Sequence, residues 1–306
     1  MTTSAGPMSL ARQRNLSERI IELLLFAAAA LSVLTTVGII AVLAFQTFEF
    51  FTQVSPIEFF TGTVWSASIK PQSWGVLPLV SGTLLVAGIA MIVAVPLGLL
   101  AAVLLAEYAS TRIRTFVKPI LETIAGIPTI VLGFFALNFL APQVLQPLLG
   151  KENIGLFSAL SGGIVVGLLI TPLIASISED AMRAVPSGMR EGAYAMGATR
   201  FETIRKVVFP AALSGIMASL ILAMSRAIGE TMAVVLAVGT QPQLTFDPTE
   251  SVQTMTAFIV QISIGETAQG SLEFKSLFAV GATLFVMTLA LNLISSWVVR
   301  RYRTAY

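Results

Sequence analysis

Six long apolar runs follow one another along this chain. They cover approximately residues 23–45, 81–106, 120–140, 156–177, 211–238 and 277–299. As a helix, an apolar run of about 18 or more residues is long enough to cross a hydrocarbon core of roughly 30 Å. A helix satisfies its backbone hydrogen bonds internally, which lipid requires. The pattern therefore predicts an all-α integral membrane protein with six transmembrane helices.

The composition agrees with lipid as the main solvent. Of the 306 residues, 56% are hydrophobic and 11% are charged, whereas a soluble domain carries about 25% charged residues. The chain contains no low-complexity tract and no convincing internal repeat. We therefore predict a tail over residues 1–19, followed by a single transmembrane domain over residues 20–306.

Several kinds of chemistry are excluded by the residues that the chain lacks. It has no cysteine and no histidine, which excludes disulfides, thiolate nucleophiles, histidine-based triads and the commonest metal ligand. Its one Gly-Lys pair, Gly150-Lys151, is followed by Glu152, so no phosphate-binding P-loop is present. We predict no catalytic, cofactor-binding or metal site in this chain, and an intramembrane enzyme is the weakest alternative.

The first apolar run is predicted to be an uncleaved anchor. Arg12, Arg14 and Arg19 precede it, as basic residues precede the apolar core of a signal peptide. The run is longer than the 7–15 apolar residues typical of that core, and its end offers no A-x-A-like cleavage site. We therefore count it among the six spans.

Lysine and arginine are distributed unequally between the two sides of the predicted bundle. Of the 18 such residues, fourteen lie on the side of both termini and of loops 107–119 and 178–210, and Arg226 lies within a span. The three on the other side are Lys70, Lys151 and Lys275. Positive residues favour the cytoplasmic side. The distribution predicts that both termini and the 178–210 loop are cytoplasmic.

Two ionisable residues, Arg226 and Glu230, lie within the fifth run. A charge at the centre of a bilayer costs about 2.5–3.5 kcal/mol on insertion scales. In a continuous helix the two would share one face, in the less favourable base-before-acid order. One interpretation is a self-neutralising structural pair. Our hypothesis is a substrate pathway in which Arg226 contacts an anion, while Glu230 orients the guanidinium or repels wrongly charged solutes.

Weaker signals within the spans concern helix packing. Gly163-x-x-x-Gly167 is a pattern that allows two helices to approach closely. Pro96, Pro128 and Pro172 each remove a helical hydrogen bond and permit a kink. We interpret the glycine pair as a packing contact within the bundle.

The 178–210 loop contains a helix–glycine–helix pattern. Ser187 is suited to cap a first helix over 189–196, which Gly197 would end. Thr199 and Glu202 have the spacing of a capping box and predict a second helix. The apolar positions of these helices have no other large loop on this side to pack against. The loop is therefore predicted to be a docking surface for another protein.

The same loop resembles the E-A-A-x3-G-x9-I-x-L-P motif of bacterial ABC importer permeases. The matching positions are Glu191, Gly192, Ala193, Gly197, Val207, Phe209 and Pro210. Glycine replaces the second alanine, which weakens the helix by up to about 1 kcal/mol, and valine and phenylalanine replace isoleucine and leucine with apolar character retained. The resemblance implies the type I importer permease fold and a coupling helix that seats in a groove of a separate ATPase subunit.

Longer stretches are similar to the PstC-type permeases of the phosphate-specific transport (Pst) system. They are residues 60–65, 75–83, 122–128, 225–231 and 277–292. The resemblance implies that the charged transport residues of that subfamily correspond to Arg226 and Glu230. The paralogous PstA-type permease is similar as well, and the Phe-Thr-Gly-x-x-Trp segment and the long N-terminus favour the PstC type.

The resemblance also implies a bacterial inner-membrane complex that imports inorganic phosphate. Its other parts would be a PstA-type permease, a PstB-type ATPase dimer that binds ATP and Mg²⁺, and an extracytoplasmic PstS-type phosphate-binding protein, with no nucleic acid involved. An importer of another oxyanion, such as sulfate or molybdate, remains open. A secondary transporter or channel is a further alternative, but it would lack a docking loop and usually shows inverted repeats.

Overall fold

The computed structural model describes the chain at residues 16–68 and 70–301. Most of the predicted tail, including Arg12 and Arg14, lies outside the described residues, as does Arg303. The described part is helical apart from loops and one small antiparallel sheet. Its strands are β1 (Trp65–Ser66) and β2 (Ser73–Trp74), with Trp65 opposite Trp74.

Thirteen α-helices form the described part of the chain. They are α1 (Leu16–Phe51), α2 (Pro56–Thr61), α3 (Leu77–Val103), α4 (Thr111–Ala125), α5 (Thr129–Phe135), α6 (Gln146–Leu149), α7 (Ala159–Arg183), α8 (Ser187–Ala195), α9 (Arg200–Thr203), α10 (Phe209–Ile228), α11 (Met232–Ala237), α12 (Met255–Ile264) and α13 (Leu272–Arg301). Three π-helical stretches continue α3, α5 and α9 without a break, at Leu104–Tyr108, Ala136–Leu145 and Ile204–Val208. Six of the resulting segments are long and apolar enough to cross a membrane, which confirms the predicted number of spans.

The pairing of α3 with α7 forms the centre of the bundle. A Cβ on Gly163 would lie 2.6 Å from the Cβ of Ile89, and one on Gly167 would lie 2.9 Å from the Ala90 carbonyl oxygen. These glycines therefore permit an approach that any larger residue would prevent. The predicted packing role of the Gly163-x-x-x-Gly167 pattern is confirmed. Because the contacts advance in the same direction along both helices, α3 and α7 run parallel.

The fifth span, α10, packs antiparallel against α7. The hydroxyls of Ser178 and Ser219 are hydrogen-bonded at 2.8 Å in the buried interface. One turn along, a Cβ on Gly215 would lie 2.5 Å from the Cβ of Ala181. We call the end of the bundle at which α7 ends and α10 begins the loop end.

The opposite end of the bundle, which we call the cap end, is closed by an aromatic cluster. Phe50, Phe59, Trp65, Trp74 and Phe258 are all buried there. The rings of Trp65 and Phe258 meet edge to face with centroids 4.9 Å apart. Such contacts add to the free energy gained by burying large apolar rings. The long loops on this side are thus ordered around a core of their own.

The third span begins later than the apolar run of 120–140 indicated. The amphipathic helix α4 ends at Ala125, and the span itself covers Thr129–Leu149. Gly126 ends the helix, and Pro128 disfavours helical geometry at the residue before it. The apolar residues of α4 extended the hydropathy signal past this break. Glu122 consequently lies on α4 and outside the span.

Candidate functional site

The fifth apolar run is interrupted at the point where it carries charge. Helix α10 ends at Ile228, residues 229–231 are not helical, and α11 begins at Met232. The backbone N–H of Gly229 donates a hydrogen bond to the Ser225 carbonyl, with a nitrogen–oxygen distance of 3.2 Å, and this bond closes the last turn of α10. The prediction of one continuous helix over 211–238 was therefore wrong. Apolar residues on both sides of the break concealed it in the sequence.

Arg226 and Glu230 do not form the pair that a continuous helix would make. Arg226 lies exposed in the last turn of α10, and its side chain makes no ion pair or hydrogen bond with any described residue. Glu230 lies in the break and is buried, with 8% of its surface exposed. The interpretation as a self-neutralising structural pair thus has no ion pair to support it among the described residues.

Glu230 joins the break to the start of α12. One of its carboxylate oxygens accepts the Ala233 backbone N–H at 3.4 Å, and its carbonyl accepts the Thr256 hydroxyl at 2.9 Å. The Thr256 hydroxyl lies 3.1 Å from that of Thr254, which caps α12 by accepting the Ala257 N–H. These hydrogen bonds satisfy polar groups that burial would otherwise leave without partners.

The start of α12 is in turn held against α3. The Thr83 hydroxyl accepts the Met255 N–H at 3.0 Å and donates to the Leu79 carbonyl at 2.7 Å. A Cβ on Gly82 would lie 2.6 Å from the Gln253 carbonyl oxygen, so a glycine is needed for this approach. The break in the fifth span is therefore part of a buried polar layer shared by α3, α11 and α12.

Donor groups lie beside Arg226 on the neighbouring spans. Ser225, the preceding residue, donates its hydroxyl hydrogen to Asn292 Oδ1 of α13 at 2.7 Å. The Asn292 amide is exposed and retains its NH₂ donors. A guanidinium and an amide NH₂ group are donors that bind oxyanions, while the one hydroxyl hydrogen of Ser225 is already donated to Asn292. Sequence reasoning did not select Asn292 as a site residue, although a lone amide within an apolar run was an available signal.

The 178–210 loop folds as the predicted helix–glycine–helix element, except that its second helix continues without a break into α10, so the fifth span covers Arg200–Ile228. Gly197 has a positive φ of 82°, which favours glycine after a helix. Thr199 and Glu202 form the capping box, with the Thr199 N–H donating to Glu202 Oε2 at 2.9 Å. The prediction that Ser187 caps α8 was wrong, because Pro186 occupies that position and no side chain caps the helix.

The loop presents exposed apolar and charged side chains together. Met196 is 89% exposed and Phe201 is 63% exposed. Of the positions predicted to couple to an ATPase, Glu191, Gly192, Gly197 and Pro210 are exposed, while Ala193, Val207 and Phe209 are half-buried. The exposure of Met196 and Phe201 is expected of a surface that meets another protein.

A buried carboxylate gathers basic side chains at the loop end. Glu179 is fully buried, and its oxygens lie 2.7 Å from Arg114 Nε, 2.8 Å from Lys118 Nζ and 3.6 Å from Arg183 Nε. Lys118 also pairs with Asp180. Burial lowers the pKa of Lys118, but the hydrogen bonds and charges of Asp180 and Glu179 outweigh it, and the pKa is raised above 10.5. This cluster holds α4 against α7.

These features are typical of the membrane subunit of a transporter. The chain has six apolar spans, a charged break within one of them and an exposed two-helix segment at one end. Residues 94–304 match the family of binding-protein-dependent transport system inner membrane components. The chain belongs to this family. It is a multi-pass inner-membrane permease of an ABC importer, and ATP hydrolysis resides in a separate ATPase subunit.

Individual relatives agree with this family. A probable ABC transporter permease of Bacillus subtilis, YqgH, is 36% identical over 290 residues, covering 94% of this chain and 93% of the relative. The phosphate transport system permease PstC of Mesorhizobium japonicum is 32% identical, covering 90% and 88%. A crystal structure of a bacterial alginate ABC transporter in complex with its alginate pentasaccharide-bound periplasmic protein matches with a TM-score of 0.65 at 18% identity, covering 96% and 100%.

Proposed function

We propose that this chain is the PstC-type permease subunit of an ATP-driven importer of inorganic phosphate. The observation that carries the proposal is the exposed guanidinium of Arg226, which has no ion-pair partner among the described residues. Arg226 is the residue after Ser225, whose hydroxyl is hydrogen-bonded to Asn292. Arginine keeps its charge at any physiological pH and presents a planar fork of donors to an oxyanion. Similarity to PstC relatives supports phosphate as that oxyanion.

The proposed pathway passes Arg226 and the break in the fifth span. Insertion of a charged residue within an apolar segment costs free energy, so a residue such as Arg226 is expected to have a function. Glu230 would hold the break in shape through its contacts with Ala233 and Thr256. This chain would form half of the pathway, and a PstA-type permease would form the other half.

The exposed surface of the 178–210 loop supports coupling to an ATPase. In this proposal Glu191 and its neighbours in α8 seat on a PstB-type ATPase dimer, which binds ATP and Mg²⁺. The positive residues at the loop end would place it and both termini in the cytoplasm. A PstS-type phosphate-binding protein would then dock at the cap end, and closure of the ATPase dimer would be relayed through the loop.

Import of phosphate into a negative-inside cell requires an input of free energy. Moving a dianion into a negative-inside cell costs about 2.3 kcal/mol per charge per 100 mV, or roughly 4–5 kcal/mol at that potential. Uptake against a concentration gradient adds to this cost. ATP hydrolysis in the partner subunit is a sufficient source of free energy.

Uptake of labelled phosphate at micromolar concentration tests the proposal. We would compare cells lacking this chain with cells complemented by the wild type, by Arg226→Gln, and by Arg112→Gln as a charge-matched control at an exposed position on α4. We expect uptake to be lost, restored by the wild type and the control, and not restored by Arg226→Gln. Equal uptake with Arg226→Gln would contradict the pathway role.

Sulfate and molybdate uptake in the same cells tests the choice of oxyanion. Arginine and asparagine donors can bind any tetrahedral oxyanion, so the site by itself does not select phosphate. Loss of sulfate or molybdate uptake with unchanged phosphate uptake would retain the importer and overturn the phosphate assignment.

A further inference from the structure

Helix α8 has one face turned toward the bundle, and Arg190 lies on that face. The side chain of Arg190 is 18% exposed, whereas the next residue, Glu191, is exposed. Successive residues of a helix project about 100° apart, so two neighbouring side chains can lie on different faces. The outer face of α8 is therefore free for a partner while Arg190 contacts this chain.

The guanidinium of Arg190 joins α8 to the ends of two spans. Its Nη1 donates to the Val185 carbonyl at 2.6 Å, and its Nη2 donates to the Met182 carbonyl at 2.8 Å. Nη2 and Nε also donate to Glu107 Oε1, at 3.0 and 3.3 Å. The Met182 carbonyl belongs to the last turn of α7, the Val185 carbonyl lies two residues beyond the end of that helix, and Glu107 lies in the π-helical stretch that continues α3.

These contacts form a stiff link. The Glu107 side chain is 5% exposed, so its charge has little water to replace a lost partner. The last carbonyls of a helix have no partner within the helix, and Arg190 supplies one. A planar guanidinium that bonds three acceptors at once fixes its orientation as well as its position.

The end of α7 extends this link to the rest of the bundle. Met182 is fully buried in a cluster with Val208, Ala212 and Ile216 at the start of the fifth span. One turn earlier, Glu179 holds α4. Helix α4 leads directly into the third span.

We infer that Arg190 is the positioning residue that passes a displacement of α8 to α3 and α7. The inference rests on the proposed coupling role of the loop. In a variant without the Arg190 side chain, the outer face of α8 would still bind the ATPase. The contacts of α8 with Glu107 and with the end of α7 would be lost. Binding of the ATPase and movement of the spans would then be separable.

A single engineered cysteine provides a readout that needs no transported solute. The chain has no cysteine of its own, and Ser214 lines a cavity of about 360 Å³ between α7 and α10 at the loop end. We would reconstitute the complete complex in nanodiscs with cysteine-free partners and measure maleimide labelling of Ser214→Cys. The rate would be compared with and without ATP and vanadate.

The variants are Arg190→Gln, Arg190→Lys and Glu107→Gln, with Arg112→Gln as the control. The control also removes a positive charge, but the Arg112 side chain, on α4, is exposed and forms no ion pair with any described residue. We expect every variant to retain the ATPase on purification. The nucleotide-dependent change in labelling should fall roughly ten-fold in Arg190→Gln and Glu107→Gln, less in Arg190→Lys, and not in the control.

Two results would overturn the inference. One is an unchanged nucleotide response in Arg190→Gln. The other is loss of the ATPase together with the response, because Arg190 would then serve docking or folding and not transmission. Phosphate uptake by the wild-type complex is measured separately, so a failure of the phosphate assignment with an intact labelling response leaves the inference standing.

Discussion

The backbone carbonyl of Glu230 accepts the hydroxyl of Thr256 at 2.9 Å, which joins the break in the fifth span to the start of α12. Both residues are buried. The break is therefore held in one geometry by a partner from a different helix. The non-helical segment that follows Arg226 therefore has a defined conformation.

The first prediction concerns this hydrogen bond. Thr256→Val keeps the shape of the side chain but leaves the buried Glu230 carbonyl without its donor, and should destabilise the protein by about 1–3 kcal/mol. Thermal unfolding of the purified complex measures the effect. Thr61→Val is the matched control, because Thr61 is exposed and bonds only to its own helix. Equal melting temperatures for the two variants would contradict the prediction.

The second prediction concerns the contact between α3 and α7. Gly163→Ala should lower the melting temperature, because its Cβ would lie 2.6 Å from the Cβ of Ile89. Gly88→Ala, on α3, meets no atom within 4 Å and should be neutral or stabilise the helix by up to about 1 kcal/mol. Fluorescence-detected size-exclusion after heating compares both with the wild type. A neutral Gly163→Ala would show that the two helices separate easily.

The third prediction concerns the docking loop. Glu191→Lys reverses an exposed charge on α8 and should lower uptake per ATP hydrolysed by about ten-fold or more. The ratio is measured in vesicles that contain the complete complex. Glu266→Lys makes the same charge change at an exposed position in the loop that precedes α13, and should leave the ratio unchanged. Normal uptake with Glu191→Lys would remove Glu191 from the coupling surface.

The fourth prediction concerns the pH dependence of the link between α4 and α7. The pKa of Lys118 is raised in the folded protein, so its contribution to stability is fully present below about pH 10.5 and is lost as pH rises through the higher folded value. Lys118→Gln should therefore destabilise the protein near pH 8, by about 1–3 kcal/mol. The difference in melting temperature from the wild type should shrink only above about pH 10.5. A constant difference across that range would contradict the assignment.

Hydropathy was sufficient to predict the number of spans, but not where helices break. At Gly126 and Pro128 the sequence carries both residues that commonly end a helix, yet the apolar residues of α4 concealed the boundary. At Gly229 the only signal is a glycine, which membrane helices often contain. The break there is held by the hydrogen bond between the Glu230 carbonyl and Thr256, which lies 26 positions along the chain.

The loop shows how a local signal differs from a distant one. The capping box of Thr199 and Glu202 was predictable, because its two residues lie three positions apart and bond to each other's backbone and side chain. The partner of Arg190 was not predictable, because Glu107 lies 83 positions away. No spacing rule connects these two residues.

The sequence by itself determined that this chain is a six-span membrane protein with a helix–glycine–helix loop and a charge within its fifth apolar run. Bilayer thickness and backbone hydrogen bonding act on each segment separately, so those properties can be predicted one segment at a time. Only the tertiary structure decided which charges meet. Arg226 and Glu230, four positions apart, are separated by the end of a helix, whereas Arg190 and Glu107 are joined because α3, α7 and α8 converge at one end of the bundle.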